Sequence, residues 1–574
     1  MLNCQRVTKT KNAGSETWGE PGTYYSYECG LNMDYKTPVE DMLFALKYGA
    51  EADRLPDWDD DLARDIITQA GRFVDQEIAP LDPLADVSPP VLIDNRVKVA
   101  PELVAAVGKF TESGWLGLAM PEAFGGQGLP GVLTSAVLEM LGGACVNILM
   151  MVACPEAAMR LILDQANEDQ KKRFIPGIVS GEYSTTIVLS EPQAGSDLSL
   201  IATKAQQDDD GVWRLTGNKV FTSNADHDIT PNILHCVLAR TGDEESGARG
   251  LSLFLCSAVL PDGQRNTIRV DRIEDKMGLH ASPTCQVFFD GAEAEIVGAP
   301  GEGLMRMFTM MNAMRIDVAA QGTGLCQVAA QRSRDYAADR RQGRALQPDQ
   351  QDKGAVPINR HGDVRRGLLT QTAWVEGLRS MLYRSAVDIE LGENPALVEL
   401  MTPVCKVLAT DAAVECANIA IQIHGGYGYI KEYRVEQILR DARIGRIFEG
   451  ANGLHATNLV TRTLAARGGA SAEAFEQDCK DAILASRAVG TSGMAEALSE
   501  GLVAWRASRD AVAKLTDPGF VAYPFMELTG LLALGVAWSR LEKNADASAN
   551  PERIRTTAAF VRDWMLPETK FLSE

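Results

Sequence analysis

The chain has 574 residues, 45% of them hydrophobic, and a formal net charge of −21. That length exceeds what one hydrophobic core serves and predicts about three or four domains. The acidity argues against nucleic acid or an anionic membrane as the main partner, while a few well-placed arginines would still admit a phosphorylated small molecule.

Residues 1–32 are rich in Gly, Thr, Ser and Tyr and lack an apolar signal-peptide core, so they read as a loose tail, or as an upstream start ahead of Met33. From Tyr35 to about Gly181 the pattern is helical. DDDLARDIITQAGRFVDQEIAP spaces Leu62, Ile66, Phe73 and Ile78 on one apolar face, and PLDPLADVSPP is expected to stop helix formation. MPEAFGGQGLPG reads as a tight turn between helices, since no strand precedes it and no GK[ST] follows. The apolar stretch from Val132 is interrupted by Glu139, a Gly pair and Asn147, which predicts buried helices and not a membrane span.

From Tyr183 to about Gly298 the period changes to two. The runs STTIVLSEP, SLIATKAQQ, GVWRLTGNKVF, NILHCVLAR, LSLFLCSAVL, NTIRVDRI and CQVFFDG are separated by turn clusters, which predicts an antiparallel barrel or sandwich. Helices return from Gly303, with Gly322 and Gly324 marking a close backbone approach. The helix containing TPVCKVLATDAAVECANIAIQIH should end at Gly425 and Gly426 in a left-handed stop. Roughly another hundred helical residues follow Arg467. The expected fold class is therefore α+β multidomain: an all-α domain over 33–184, a β domain over 185–300, an α-helical bundle over 301–466 and a helical extension over 467–574.

Eleven cysteines without a CxxC pair and six histidines without HExxH spacing predict free thiols in a reducing compartment, with cytoplasm as the expected location and no metal site. No GxSxG occurs, and no cysteine has an identifiable activating partner. What remains is acid–base chemistry with a borrowed redox group. LSEPQAGSD places Ser190, Gly195 and Ser196 at a strand-end turn, NKVFTSN sets Phe221 beside hydroxyls, and QIHGGYG lies at a helix end. Each of these alone reads more readily as an ordinary satisfied turn or core aromatic.

Taken in order, MPEAFGGQG, EDQKKRFIPGIVSGEYSTTIVLSEPQAGSD, NKVFTSN, the Met311–Arg315 helix, DRRQGR, QIHGGYGYIKEY and RDARIGRIFEG resemble the acyl-CoA dehydrogenase family over about residues 35–465. The resemblance implies an α, β, α fold and FAD. It also implies removal of the α-proton of an acyl-CoA thioester while the β-hydride passes to the flavin, giving a trans-2,3-enoyl-CoA. By the same resemblance Glu449, in RIFEGANG, is the catalytic base, its pKa raised by an apolar pocket. The thioester carbonyl would be polarised by the Glu449 backbone N–H, an oxyanion-hole arrangement. Some members carry their base directly before the helix arginine. Here that position is Met314, which accepts no proton.

Other roles carry over where motifs match. Leu189, Ser190, Gly195, Ser196, Phe221, Ser223 and Ala451 would meet FAD. Arg340, with Arg341 one residue away, and Gln422, Gly425 and Gly426 would reach the FAD of a neighbouring subunit. Ser196, Asn312, Arg315, Phe448 and Gly450 would contact the acyl-CoA. Phe221 stands where many members have Trp, and Ala451 where many have Thr. The opening YKTPVEDMLFALK and the extension after Arg467 are similar to the longer subgroup containing 3-methylmercaptopropionyl-CoA dehydrogenase, of dimethylsulfoniopropionate catabolism. Other short, medium or aryl acyl-CoAs remain open as substrates. Met307, Met310, Met311 and Met314 read as core filler at helical spacing. The resemblance further implies an electron-transfer flavoprotein as acceptor and a homo-oligomer, a dimer or tetramer. An oxidase using O2 is the alternative within the family. A DNA-binding alkylation-response flavoprotein would need a basic C-terminal surface, whereas 466–574 carries slightly more acids than bases.

Overall fold

The computed structural model describes residues 34–346 and 354–573. The expected tail, 1–32, lies outside the described residues. Helices α1 (Val39–Phe44), α2 (Asp60–Phe73), α3 (Asp82–Val87), α4 (Pro101–Glu112), α5 (Gly131–Ala144), α6 (Val146–Gln165) and α7 (Glu168–Val179) build the first helical layer. The Asp59 carboxylate caps α2 by accepting from two backbone N–H groups, and Asn167 with Gln170 forms a capping box on α7. The buried face of α2 and the turn after it is Ala63, Ile67, Ala70, Val74 and Ile78; of the expected series Ile78 is buried, Ile66 and Phe73 are half-buried and Leu62 is exposed. Small alanines let that face approach α5, so the stripe is shifted by one residue from the bulkier series. PLDPLADVSPP does not stop the helix outright. Pro83 sits within the first turn of α3, where its missing N–H costs nothing.

All seven predicted strands form: β3 (Tyr183–Val188), β4 (Lys204–Gln207), β5 (Trp213–Ser223), β6 (Asn232–Arg240), β7 (Leu251–Ser257), β8 (Ile268–Ile273) and β9 (Thr284–Val297), after a small β1 (Val91–Ile93), β2 (Arg96–Lys98) hairpin. β6, β4, β5, β9 and β7 hydrogen-bond in sequence, and β7 returns to β6, closing a ring, with β3 added on β6 and β8 on β9. The expectation of a purely antiparallel barrel needs correction. β3 runs parallel to β6 from Tyr183↔Asn232 to Val188↔Val237, and β4 meets β6 in parallel at Lys204↔Arg240. The β3–β6 connection includes two further strands, long enough for a parallel return that a two-residue hairpin forbids. The barrel core holds Val188, Leu215, Val237, Phe254, Val287 and Phe289.

The second helical layer comprises α8 (Gly303–Asp339), α9 (Gly362–Leu391), α10 (Pro395–His424), α11 (Val435–Ala442) and α12 (Asn452–Thr461). As expected, α8 uses glycines for close approach. A Cβ on Gly324 would lie 2.3 Å from the Glu139 carbonyl oxygen of α5, and one on Gly322 2.7 Å from that of Ala409 on α10. Helix α10 ends at Gly425, but with φ 61 and ψ −134, outside the left-handed helical region; a short 3₁₀ turn over Gly425–Tyr429 follows. Helices α13 (Ala470–Ala488), α14 (Ser492–Val512), α15 (Ala522–Lys543), α16 (Pro551–Phe560) and α17 (Glu568–Ser573) form the extension. It packs on the bundle: the Trp538 indole donates to the Ala373 carbonyl at 2.9 Å, and Arg553 bridges Asp41 at 2.5 Å and Glu376 at 3.0 Å. Val146–Gln165 and Gly519–Lys543 are long and apolar enough to cross a membrane, but 83% and 72% of their apolar windows are buried inside the fold. Met307, Met310 and Met314 are buried, as core filler should be.

Candidate active site

Glu449 lies in the link between α11 and α12. Ile447 and Phe448 close a last turn onto the Ile444 carbonyl. The backbone then swings to φ 52 at Glu449 and φ 90 at Gly450 before Ala451 starts α12. A non-glycine residue there costs on the order of 1 kcal/mol or more, so its surroundings must enforce it. They do. His455 Nε2 donates to the Glu449 carbonyl at 3.1 Å, and the buried Lys406 donates to the Gly450 carbonyl and the Asn452 side chain, both at 2.8 Å. Burial holds the His455 pKa down at about 4, so the ring is neutral and its proton sits on Nε2. A Cβ at Gly450 would meet His455 Nε2 at 2.7 Å, which requires glycine.

Glu449 is half-buried. Enclosure raises its pKa above the ordinary carboxylate range, opposed by the charges of Arg315 and then Lys406. No cation neighbours Glu449 in sequence; the fold brings both from other helices. Burial lowers the pKa of Lys406 to about 8. Arg315 gives one hydrogen bond to Asn312 at 2.8 Å, and its Nε is buried without a partner among the described residues. A cavity of about 920 Å³ is lined by Asn312, Arg315 and His455.

The strand-end turn is anchored by a pair that sequence reasoning missed. Lys219 on β5 is fully buried, 2.9 Å from Glu191, and also donates to the Leu189 and Leu238 carbonyls. Glu191 in turn accepts from the N–H groups of Ala202 and Thr203. This locks the loop on which Leu189 and Ser190 are half-buried while Gly195 and Ser196 stay exposed. Phe221 is 69% exposed on backbone at φ 55, at an irregularity in the β5–β9 register. Thr222 behind it is buried, and Ser223 is half-buried. Arg340 stacks over Tyr427 with 5.7 Å from guanidinium to ring centre, beside the exposed Gly425 and Gly426, and Gln422 is exposed on the last turn of α10. Arg341 instead spends its guanidinium on the Ala355 carbonyl, at 3.1 and 2.7 Å. Arg340 is therefore the freer of the two. MPEAFGGQG turns its amides onto itself, Gly126 to Pro121 and Gly128 to Met120, as a tight turn and not a cradle.

The signal for Lys406 was present in sequence: a lone Lys among VCKVLA. The signal for Tyr523 was not. This α15 residue donates to Asp411 at 2.7 Å, and Asp411 pairs with Arg446 at 2.5 Å and accepts from Asn452 at 3.1 Å. The C-terminal extension thus braces both ends of the Glu449 loop. Tyr523→Phe removes two hydrogen bonds, the one donated to Asp411 and one accepted from Arg446 at 3.3 Å, each worth about 1 kcal/mol. The expected outcome is a several-fold lower turnover at unchanged flavin content; equal turnover would mean the brace is idle.

Family models for the acyl-CoA dehydrogenase N-terminal domain, middle domain and C-terminal domain match residues 60–182, 186–292 and 301–464. The chain belongs to the acyl-CoA dehydrogenase family, and is an FAD-dependent oxidoreductase. It is similar to 3-methylmercaptopropionyl-CoA dehydrogenase of Ruegeria pomeroyi, 34% identical over 565 residues that span 92% of this chain and 96% of that protein. A broad-specificity linear acyl-CoA dehydrogenase of Mycobacterium tuberculosis is 30% identical, covering 87% of this chain and 89% of that one. In fold it resembles Caenorhabditis elegans ACDH-11 in complex with C11-CoA, with TM-score 0.75, 21% identity, and 97% and 95% of the two chains covered.

The residues present fit FAD. Phe221 holds a large ring out of the surface on strained backbone, which suits a planar aromatic partner. An added Cβ at Gly195, Gly425 or Gly426 would meet nothing within 4 Å, leaving room for backbone contact, and Arg340 adds a charged fork beside the last two.

Proposed function

We propose that the protein dehydrogenates an acyl-CoA thioester to the trans-2,3-enoyl-CoA, with Glu449 as base. The observation that carries this is the half-buried Glu449, held on strained backbone, whose carboxyl is raised in pKa by the surrounding protein against the charges of Arg315 and then Lys406. When bound, FAD supplies the acceptor for the β-hydride. The chain's residues do the rest. The Glu449 carboxylate takes the α-proton as the C–H pair moves into the new carbon–carbon double bond. Its backbone N–H polarises the thioester carbonyl. Arg315, Asn312, Phe448, Gly450 and Ser196 orient the thioester and its CoA arm. Leu189, Ser190, Gly195, Phe221, Ser223 and Ala451 hold the flavin end. Arg340, Gln422, Gly425 and Gly426 reach the FAD of a second copy in a homo-oligomer.

The relative spanning most of this chain makes 3-methylmercaptopropionyl-CoA the leading substrate, ahead of other short, medium or aryl acyl-CoAs. Electron-transfer flavoprotein is the proposed acceptor, ahead of O2. Mixing the yellow protein anaerobically with an acyl-CoA panel tests the reading. Flavin bleaching and a trans-enoyl product are expected with at least one thioester, and absence of bleaching with every one overturns it. Reoxidation that is slow in air and fast with electron-transfer flavoprotein supports that acceptor; the reverse identifies an oxidase.

A further inference from the structure

The cavity that begins at Asn312, Arg315 and His455 is also lined by charged residues that the proton-transfer chemistry leaves unused, Asp164, Glu390 and Arg467 among them. Asp317 on α8 and Arg160 on α6 both line it. An acid two residues beyond Arg315, in the otherwise apolar IDVAA, is out of place in a pocket built for a plain alkyl chain. Asp317 is only 8% exposed, and its Oδ2 has no hydrogen-bond partner among the described residues. A buried polar atom left unpaired is destabilising, so a ligand that pairs with it is favoured.

Arg160 is tethered but not used up. Its Nε donates to the buried Glu156 at 3.1 Å. That pairing balances its charge and leaves the two terminal nitrogens without a hydrogen-bonded partner among the described residues. Burial pushes the Asp317 pKa up to about 8, with the Arg160 charge opposing, so near neutral pH Asp317 carries its proton. A protonated carboxyl and a guanidinium both donate hydrogen bonds. The cluster therefore presents donors, with its net charge already cancelled by Glu156. A carboxylate on the acyl group would meet the other acids that line the cavity, Asp164, Asp388, Glu390 and Glu399. A neutral acceptor meets no such penalty.

We propose that this cavity holds the acyl group and selects chains bearing a neutral hydrogen-bond-accepting heteroatom, an ether, hydroxyl or thioether, which Asp317 and Arg160 contact. Asp317 is here a specificity residue, not a proton-transfer group. This rests on the proposed acyl-CoA dehydrogenation and deepens it. An oxygen accepts more strongly than a thioether sulfur, which orders the substrates.

The test compares matched acyl-CoAs of one chain length in which a single methylene is replaced by oxygen or sulfur. For the wild-type protein, kcat/KM is expected to follow ether, then thioether, then alkyl, with at least about tenfold between the extremes. In Asp317→Leu that ratio should fall toward unity, and in Asp317→Asn, which keeps a donor, most of it should remain. Ligand dissociation constants measured on Glu449→Gln, from the shift of the flavin spectrum, should show the same order without turnover. Equal kcat/KM for the three wild-type substrates, or a preference for alkyl, overturns the proposal. So does an unchanged ratio in Asp317→Leu. Should that variant fail to fold, the wild-type ratio and Asp317→Asn decide. A preference for an ω-carboxyl chain would show that Arg160 acts as an anion site and also overturns it. If no thioester bleaches the flavin at all, the dehydrogenase reading has failed; if all bleach alike, only the heteroatom subsite has.

Discussion

Glu449→Gln should remain yellow, bind acyl-CoA and lose flavin bleaching by a factor on the order of 10² to 10⁴. Gln keeps the size of the side chain but accepts no proton from carbon. The loop should survive, because His455 and Lys406 hold its backbone carbonyls and not the carboxylate. The wild-type rate should also carry an acid limb. A base works only when ionised, and enclosure raises the Glu449 pKa above its ordinary value. Bleaching should therefore decline as pH falls through a midpoint above the ordinary glutamate value of about 4.3, and the variant should lack that limb. Stopped-flow bleaching across pH measures both. A variant that bleaches at the wild-type rate places the base elsewhere.

Glu139→Leu should cost about 3–5 kcal/mol of stability. Glu139 on α5 is fully buried and accepts from Arg379 on α9 at 2.8 and 2.6 Å and from the Tyr383 hydroxyl at 2.6 Å. Arg379 is itself 1% exposed and also reaches Gln327 on α8 at 3.0 Å. Removing the acid leaves a guanidinium in the core with no countercharge. Removing both charges does not, so Glu139→Leu with Arg379→Met should recover most of the loss. Denaturant midpoints of the flavin-loaded proteins test this. A mild single mutant, or a double mutant as damaged as the single, would show that the pair is not the clamp joining α5, α8 and α9.

Much of the fold was legible. Seven strands were readable because alternation over a half-buried strand is a local property. The glycines of α8 were readable because only a close backbone approach favours Gly322 and Gly324 inside a helix. The Glu449 octamer was readable once its neighbouring motifs were seen in order. Errors arose where local pattern was ambiguous. The α2 face was assigned through bulky Leu62, whereas small Ala63 and Ala70 lie inward, since proximity to α5 rewards small side chains there. Nothing local distinguishes a first-turn proline such as Pro83 from an interior one that breaks a helix.

By itself the sequence determined the order of helical and extended regions, the absence of a metal or nucleophile motif, and a lone acid in a family-like loop. Only the tertiary structure decided what surrounds that acid. Arg315 and Lys406 come from α8 and α10, Tyr523 reaches Asp411 from α15, and the parallel pairing of β3 with β6 closes no local turn. Periodicity reports which face of an element is buried. It carries no information on which distant charge will share that burial and oppose the pKa shift that burial imposes.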